Sequence, residues 1–274
     1  MEEKIKYLIN VYQNSEKLKM RNLAWLNLPA KDMTFWFDKQ GRMNFSLDNK
    51  RDTASNLWAN EVLSALYTFF IEGDLRKTKA AYFKCGRITE FLTRKYDVGI
   101  LTYGRDHTAY VLLSDNYDLI HSFANLRFNK YQGSTFNELI EQGSLSLIYT
   151  IQSIIKNNIE GIEHGLFYSE KYATENKEMQ LDVKFLKALV NNDRGKMEDI
   201  LKKLVSAEVH VKRNLDPCIS KFISHPALGY AKLAWLKGIE VKVNSPFIPK
   251  EWLPIQPLKD EEYVDYDFIK AYLG

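Results

Sequence analysis

The spacing of apolar residues constrains the fold of this 274-residue chain more than any other feature. In residues 53–72, and again in residues 185–205, apolar side chains recur every three or four positions, which is the period of a helix with one buried face. A short polar turn follows the first stripe at Asp74 and divides the second at Asp193, and Asp74 is suited to cap the helix that follows it. A helix, a tight turn and a second helix form an antiparallel helical hairpin. We therefore predict a mainly α protein built as a repeat-like array of such hairpins.

Residues that favour the ends of helices predict further helix boundaries. Ser114 or Asp115 is predicted to cap the helix that follows, and Thr135-x-x-Glu138 matches a capping box. The run at residues 227–237 is apolar almost all round, which predicts a buried helix.

One proline and three glycines also indicate helix ends, turns or close packing. Pro226 suits the first position of the buried helix, and Gly238 suits the position just after its end. Gly161 and Gly165 are interpreted as turn or packing glycines.

Two stretches depart from the helical pattern. Residues 33–47 are compatible with a short β-hairpin turning at Gly41, and equally with an irregular loop pinned by Trp36. Four prolines between residues 246 and 257 exclude a continuous helix there, so we expect an extended Pro-rich segment lying over the helices. Its predicted anchors are Phe247, Ile248, Trp252, Leu253 and Ile255.

No Gly- or Ser-rich linker divides the chain, which favours a single domain over residues 1–274. Within it we expect an N-terminal helix plus an irregular or hairpin segment at residues 1–52, helical pairs at 53–240, and a Pro-rich strap with a terminal helix at 241–274.

The charge balance and the cysteine content exclude several classes of protein. The 38 basic and 35 acidic residues give a net charge of +3 and are interspersed, so direct binding to nucleic acid is not expected. Cys85 and Cys218 cannot form a CxxC motif, and two reduced thiols suit a cytoplasmic protein. We find neither a signal peptide nor an apolar stretch of membrane-spanning length, so a cytoplasmic location without membrane contact is expected.

Sequence signatures of catalysis and cofactor binding are missing. The five histidines form no HExxH or His-x-His pattern, and no GxSxG, P-loop or GxGxxG motif is present in a suitable context. We therefore expect structural histidines, a buried inert thiol at Cys85, no metal, no cofactor and no catalytic residue.

One acidic and aromatic cluster near the C-terminus has two interpretations. Its acids can stabilise the start of a helix through the macrodipole while its tyrosines pack inward. Alternatively the cluster binds a basic protein surface, such as the nucleic-acid site of a nuclease, because opposite potentials speed association and Tyr is a frequent anchor. The residues of this predicted patch are Asp260, Glu261, Glu262, Tyr263, Asp265, Tyr266 and Asp267.

The region from residue 181 onward resembles a known family. A helical pair broken at Asn192-Asp193 is followed by residues 222–239 (FISHPALGYAKLAWLKGI), by Pro-Phe-Ile-Pro at 246–249 and by Trp-Leu-Pro at 252–254. This pattern, together with the helical segment at residues 114–116, resembles bacterial polymorphic-toxin immunity proteins of the immunity protein 49 type. The likeness is clearest over the last third and looser from Trp58 onward, and the first fifty residues add nothing to it.

The resemblance implies an all-α, non-enzymatic, cytoplasmic protein that binds and blocks a cognate toxin. Toxins of such systems are often nucleases. Two alternatives stay open, namely a general helical scaffold for protein–protein interaction and an enzyme of unrecognised type.

Overall fold

The computed structural model describes residues 2–27, 47–97, 104–214 and 216–274, and these residues are mainly α-helical. They contain thirteen α-helices and one two-stranded antiparallel sheet, which confirms the predicted mainly α class. The question of a hairpin or a loop at residues 33–47 falls on residues 33–46, which lie outside this description, while residue 47 begins a helix. The helices are α1 (Glu2–Leu26), α2 (Leu47–Phe70), α3 (Leu75–Tyr96), α4 (Gly104–Leu113), α5 (Tyr117–Ala124), α6 (Phe136–Glu141), α7 (Ser146–Lys156), α8 (Ile159–Glu175), α9 (Gln180–Val190), α10 (Arg194–Leu204), α11 (Ala207–Arg213), α12 (His225–Leu236) and α13 (Asp267–Leu273), and the strands are β1 (Lys130–Tyr131) and β2 (Ser134–Thr135).

Consecutive helices pack side by side as pairs. Helix α2 contacts both α1 and α3, α7 contacts α8, and α9 contacts α10, while α12 packs against both α4 and α10. The predicted helical pairs are therefore present. A regular repeat, and a single domain over residues 1–274, stay predictions.

The predicted cap at Asp74 is confirmed, and the aspartate of the second turn is also a cap. Asp74 precedes α3 and its side chain accepts a hydrogen bond from Lys77 N at 3.0 Å. Asp193 precedes α10 and accepts from Lys196 N at the same distance. Each carboxylate satisfies an amide that has no partner in the first helical turn, and this fixes where the second helix of the pair begins.

The predicted capping box at α6 is also confirmed. Glu138 N donates to Thr135 Oγ1 at 3.3 Å, and Thr135 N donates to Glu138 Oε2 at 2.7 Å. Thr135 also ends a hairpin that the sequence analysis did not predict, in which β1 and β2 are joined by Gln132 and Gly133. Both turn residues have positive φ, at 50° and 86°, as a two-residue hairpin of the mirror-image type requires.

Helix α12 is the most buried helix, as its composition predicts. Residues 225–234 are all buried, and Pro226 lies in the first turn after the cap residue Ser224. Gly238 has φ +79°, and Ile239 N donates to Ala234 O at 2.9 Å. This left-handed residue and the bond across it form the Schellman ending for which glycine is preferred.

The cap of α5 differs from the prediction. Asn116, not Ser114 or Asp115, is the cap residue, and its side chain accepts from Leu119 N at 2.7 Å. Ser114 Oγ donates to Val111 O at 2.6 Å, closing the end of α4. Asp115 is completely buried and pairs with lysines from other helices, so its carboxylate is not available to α5.

Both cysteines are buried free thiols. Burial raises the pKa of Cys85 well above its ordinary value and that of Cys218 to about 11, so both are protonated at neutral pH. Among the described helices, none combines the length and the apolarity that crossing a bilayer requires.

Candidate protein-binding surfaces

The seven residues of the predicted patch occupy a 3-10 helix at residues 260–262, the connection after it and the first residue of α13. The structure divides them into two groups. The side chains of Asp260, Glu261 and Asp267 are exposed, and they form the group called here the exposed acids. The other four members contact the protein's own helices, and these are Glu262, Tyr263, Asp265 and Tyr266.

The two inward carboxylates are paired with arginines of α3. Arg76 Nε donates to Glu262 Oε1 at 2.9 Å, which lowers the pKa of Glu262. Arg87 Nε donates to Asp265 Oδ2 at 2.7 Å. Burial raises the pKa of Asp265 in spite of this partner. Both acids therefore attach the C-terminal segment to α3.

The two tyrosines also point into the molecule. Tyr263 OH donates to Ser114 O at 3.0 Å and accepts from Leu258 N at 2.9 Å. Tyr266 OH donates to Glu61, a buried carboxylate of α2 whose other partner is Lys19 at 2.6 Å. The two tyrosines therefore pack inward. A binding role for the patch stays a prediction, and within the patch the exposed acids are the side chains available to a partner.

A buried group of three charged side chains holds the backbone of residues 252–256, which precede this patch, against the helices. Asp115 lies 2.8 Å from Lys79 Nζ and 2.6 Å from Lys232 Nζ, and at least 95% of each of the three side chains is buried. Lys232 also donates to the carbonyls of Trp252 and Pro254, both at 2.8 Å. Burial lowers the pKa of Lys232 to about 8, and the carboxylate of Asp115 opposes that effect.

Two of these three side chains also bind the backbone of Gln256. Lys79 Nζ donates to Gln256 O at 2.7 Å, and Gln256 N donates to Asp115 Oδ2 at 3.1 Å. Because the backbone of residues 252–256 supplies four of the bonds to this group, the group connects α3, α12 and the C-terminal segment. Ile248, Trp252 and Leu253 of the C-terminal segment are buried.

A second buried carboxylate joins three helices. Asp182 of α9 accepts from both terminal nitrogens of Arg213 at 2.8 and 2.7 Å, and from Tyr230 OH at 2.6 Å. Asp182 is fully buried, so the paired guanidinium and the hydroxyl compensate its desolvation. This arrangement holds α9, α11 and α12 in fixed relative positions.

Two of the buried histidines have hydrogen-bond partners within the fold. His225 Nε2 lies 3.0 Å from Tyr82 OH, and His107 Nδ1 lies 2.9 Å from Thr89 Oγ1. Burial lowers the pKa of both imidazoles to about 3, so they are neutral at physiological pH. Within the described ranges, no group of His, Cys, Asp or Glu side chains is arranged to hold a metal ion.

A surface that the sequence analysis did not single out lies on α8. Its buried residues are Gly161, Gly165, Ser169 and Ala173, whereas two large apolar side chains face solvent. Ile159 is 71% exposed and Phe167 is 62% exposed. The signal available in the sequence was the four-residue spacing of the small residues, which marks the inner side of the helix.

Comparison with known proteins locates a family likeness in the C-terminal half. The family model of immunity protein 49 matches residues 167–252, which run from the middle of α8 through α12 to the buried Trp252. No curated protein matches the chain, and no solved structure does. Immunity proteins of this kind are typically non-enzymatic, in agreement with the expectation drawn from the missing motifs. The matched segment contains Asp182, Arg213, Tyr230 and Lys232, so it includes most of the buried polar contacts that fix α9, α11 and α12. Residues 167–252 of this chain are thus similar to the immunity protein 49 family, and the resemblance expected from the sequence is confirmed over that segment.

Proposed function

We propose that the protein is a non-enzymatic immunity protein that binds a cognate bacterial toxin domain and neutralises it. The observation that supports this function best is the match of residues 167–252 to the immunity protein 49 family. We assign the protein to the cytoplasm, the compartment in which reduced thiols such as Cys85 and Cys218 persist.

A rigid helical surface suits this task. Buried ion pairs at Asp115 and Asp182 hold helices from different parts of the chain together. An interface whose backbone is already fixed before binding loses less conformational entropy when the complex forms. The protein would therefore neutralise its toxin by covering or distorting the toxin's active site, with a few dominant anchor residues.

The exposed acids are the candidate contacts from the predicted patch. Asp260, Glu261 and Asp267 lie close in sequence and are exposed, and none of them has an ion-pair partner among the described residues. A toxin with a basic active-site surface, as a nuclease has, would be attracted by these carboxylates. Glu262, Asp265 and the two tyrosines would support the patch from beneath and would not contact the toxin directly.

Co-expression with the toxin domain encoded beside this gene tests the function. We expect cell survival together with a stable complex that co-purifies. Survival without a complex would indicate an enzyme that removes the toxin's product or substrate. Loss of survival would leave a general helical scaffold as the better description.

Charge reversal tests the exposed acids. The double variant Asp260→Lys, Glu261→Lys should slow association with a basic toxin on the order of tenfold at low salt, because long-range steering is lost. The matched control is Glu2→Lys, Glu3→Lys, which makes the same charge change at the other end of the chain. An association rate unchanged from wild type at low salt would reject the patch while leaving toxin binding itself intact.

A further inference from the structure

Helix α8 packs against the protein through a central row of small residues, with Ile162, Leu166 and Tyr168 partly buried on either side of that row. The side that packs against the protein carries Gly161, Gly165, Ser169 and Ala173, and these residues repeat every four positions. Large apolar residues normally occupy the buried face of a helix, since their burial contributes most to stability. Ile159 and Phe167 of the same helix are exposed, so both side chains are available to a partner.

The small residues bring α8 unusually close to α7. A Cβ atom on Gly165 would lie 2.3 Å from Thr150 Oγ1 and 3.1 Å from Thr150 N, and one on Gly161 would lie 2.5 Å from Ser153 Oγ. On the next inner position, Ser169 Oγ donates to Ser146 Oγ at 2.9 Å. The helix is therefore held along most of its length, and its outer face is presented on a fixed backbone.

The first half of the outer face is acidic, and the exposed Lys171 lies one helical turn beyond Phe167. Glu160 and Glu163 are exposed, and neither has an ion-pair partner among the described residues. The sequence contains no Lys or Arg between Lys156 and Lys171. The outer face of α8 is defined by Ile159, Glu160, Glu163, His164 and Phe167.

A shallow hollow adjoins this face. Its volume is about 380 Å³, and its lining includes Glu141 of α6, Tyr149 of α7, and Glu160 and His164 of α8. Glu141 and Glu160 form an environment that favours a Lys or Arg side chain through ion pairing. The Tyr149 ring beside them already has the protein's own Arg127 guanidinium over it, 5.7 Å from the ring centroid.

We propose that the outer face of α8 is a docking surface for a basic region of the toxin domain, and this inference rests on the proposed function. Phe167 and Ile159 insert as apolar anchors, Glu160 and Glu163 attract the basic surface, and the hollow receives one of its Lys or Arg side chains. Phosphate-rich partners such as nucleic acid or an anionic membrane are repelled by the same carboxylates. The face therefore selects a cationic protein partner.

The test uses the full-length protein and the adjacent-gene toxin domain, inactivated at its catalytic site and purified. Phe167→Ser should weaken the complex on the order of thirtyfold in Kd, as expected for truncation of a central aromatic anchor. Glu160→Lys with Glu163→Lys should slow association on the order of tenfold at low salt and much less at high salt. In hydrogen-exchange measurements, the backbone amides of residues 159–175 should exchange more slowly in the wild-type complex than in the free protein.

Matched controls separate the surface from general effects. Val211→Ser removes an equally exposed apolar side chain on α11, since Val211 is 70% exposed. Glu2→Lys with Glu3→Lys repeats the charge change on α1. Both controls should bind like wild type, and all variants should keep the wild-type melting temperature because the changed side chains are exposed.

The outcomes distinguish this inference from the function on which it rests. Weakened binding by the α8 variants, with normal binding by the controls, supports the docking surface. A wild-type complex that the α8 variants leave unchanged overturns the docking surface and leaves the proposed function standing. Absence of any complex with the wild-type protein overturns both.

Discussion

The C-terminal segment and the outer face of α8 contain the same kinds of residue but use them in opposite ways. Each combines carboxylates with large aromatic or aliphatic side chains within a short stretch of sequence. In the C-terminal segment, Tyr263 and Tyr266 donate hydrogen bonds to the protein's own core. On α8, Phe167 and Ile159 have solvent around most of their surface.

The two regions differ in the contact partners that neighbouring helices provide. Helix α3 presents Arg76 and Arg87 to the carboxylates of the C-terminal segment, and α2 presents Glu61 to Tyr266. Helix α7 packs closely against Gly161 and Gly165, and Ile162 and Leu166 are partly buried beside that contact, whereas no described element covers Phe167 and Ile159. An acidic and aromatic composition therefore indicates an interaction without indicating whether the partner lies inside or outside the chain.

The largest expected effect comes from breaking the buried charges that fasten the C-terminal segment. Asp115→Ala leaves Lys79 and Lys232 buried without their common counter-ion, and we expect a loss of about 3–5 kcal/mol of unfolding free energy. Urea denaturation measures the loss. Hydrogen exchange should show that the amides of residues 254–266 lose their protection before those of α12.

A surface ion pair provides the control for Asp115. Asp199 lies 3.0 Å from Lys202, and both side chains are more than 60% exposed. Asp199→Ala should change stability by less than about 1 kcal/mol, because exposed pairs are solvated in the unfolded and folded states alike. Equal losses from the two variants would mean that the C-terminal segment is not held by Asp115.

Tyr266→Phe tests whether this tyrosine acts inside the protein. The change removes the hydroxyl that donates to the buried Glu61 and leaves the ring in place. A hydrogen bond to a charged group contributes about 2 kcal/mol, so the melting temperature should fall measurably. Tyr272→Phe is the control, since Tyr272 is 44% exposed and its hydroxyl donates to Arg94 O on the surface. If Tyr266→Phe instead weakens toxin binding at unchanged stability, the inward assignment of Tyr266 is wrong.

Gly165→Ala tests the close packing that makes α8 rigid. The added methyl group meets both the side chain and the backbone of Thr150, and overpacking of this kind costs about 1–3 kcal/mol. The better helix propensity of Ala offsets about 1 kcal/mol of this cost, so a net loss of about 1 kcal/mol is expected in chemical denaturation. At Gly195 on α10 the nearest atom to an added Cβ is 3.9 Å away, so Gly195→Ala should stabilise instead. A stabilising effect at both positions would contradict the tight α7–α8 contact.

Local signals made the helical pairs predictable. Asp74, Asp193 and the Thr135 capping box act on amides within three residues of themselves, so the sequence contains both partners of each interaction. The burial of α12 follows from its apolar composition, and the small residues of α8 are also visible in sequence.

Contacts between distant parts of the chain could not be predicted in the same way. Ser114 or Asp115 was expected to cap α5, because nothing near Asp115 in sequence indicates that Lys79 and Lys232 converge on it. For the same reason the predicted patch included Glu262, Tyr263, Asp265 and Tyr266, whose partners lie on α2, on α3 and at the end of α4. The outer face of α8 was missed because the choice between buried and exposed sides depends on how closely α7 approaches.

The smallest expected effect on stability is that of Phe167→Ser. A small effect would distinguish this exposed residue of α8 from the buried residues of the C-terminal segment. Phe167 contacts Tyr168 edge to face but is 62% exposed, so its removal should change the unfolding free energy by less than about 0.5 kcal/mol. Ile269→Ser in the C-terminal helix is the opposite case, because Ile269 is fully buried and the change introduces both a cavity and an unpaired hydroxyl. Thermal denaturation of the two variants side by side measures the contrast. A clear drop for Phe167→Ser would show that this side chain belongs to the protein's own core, and the case for a docking surface on α8 would then lose its main anchor.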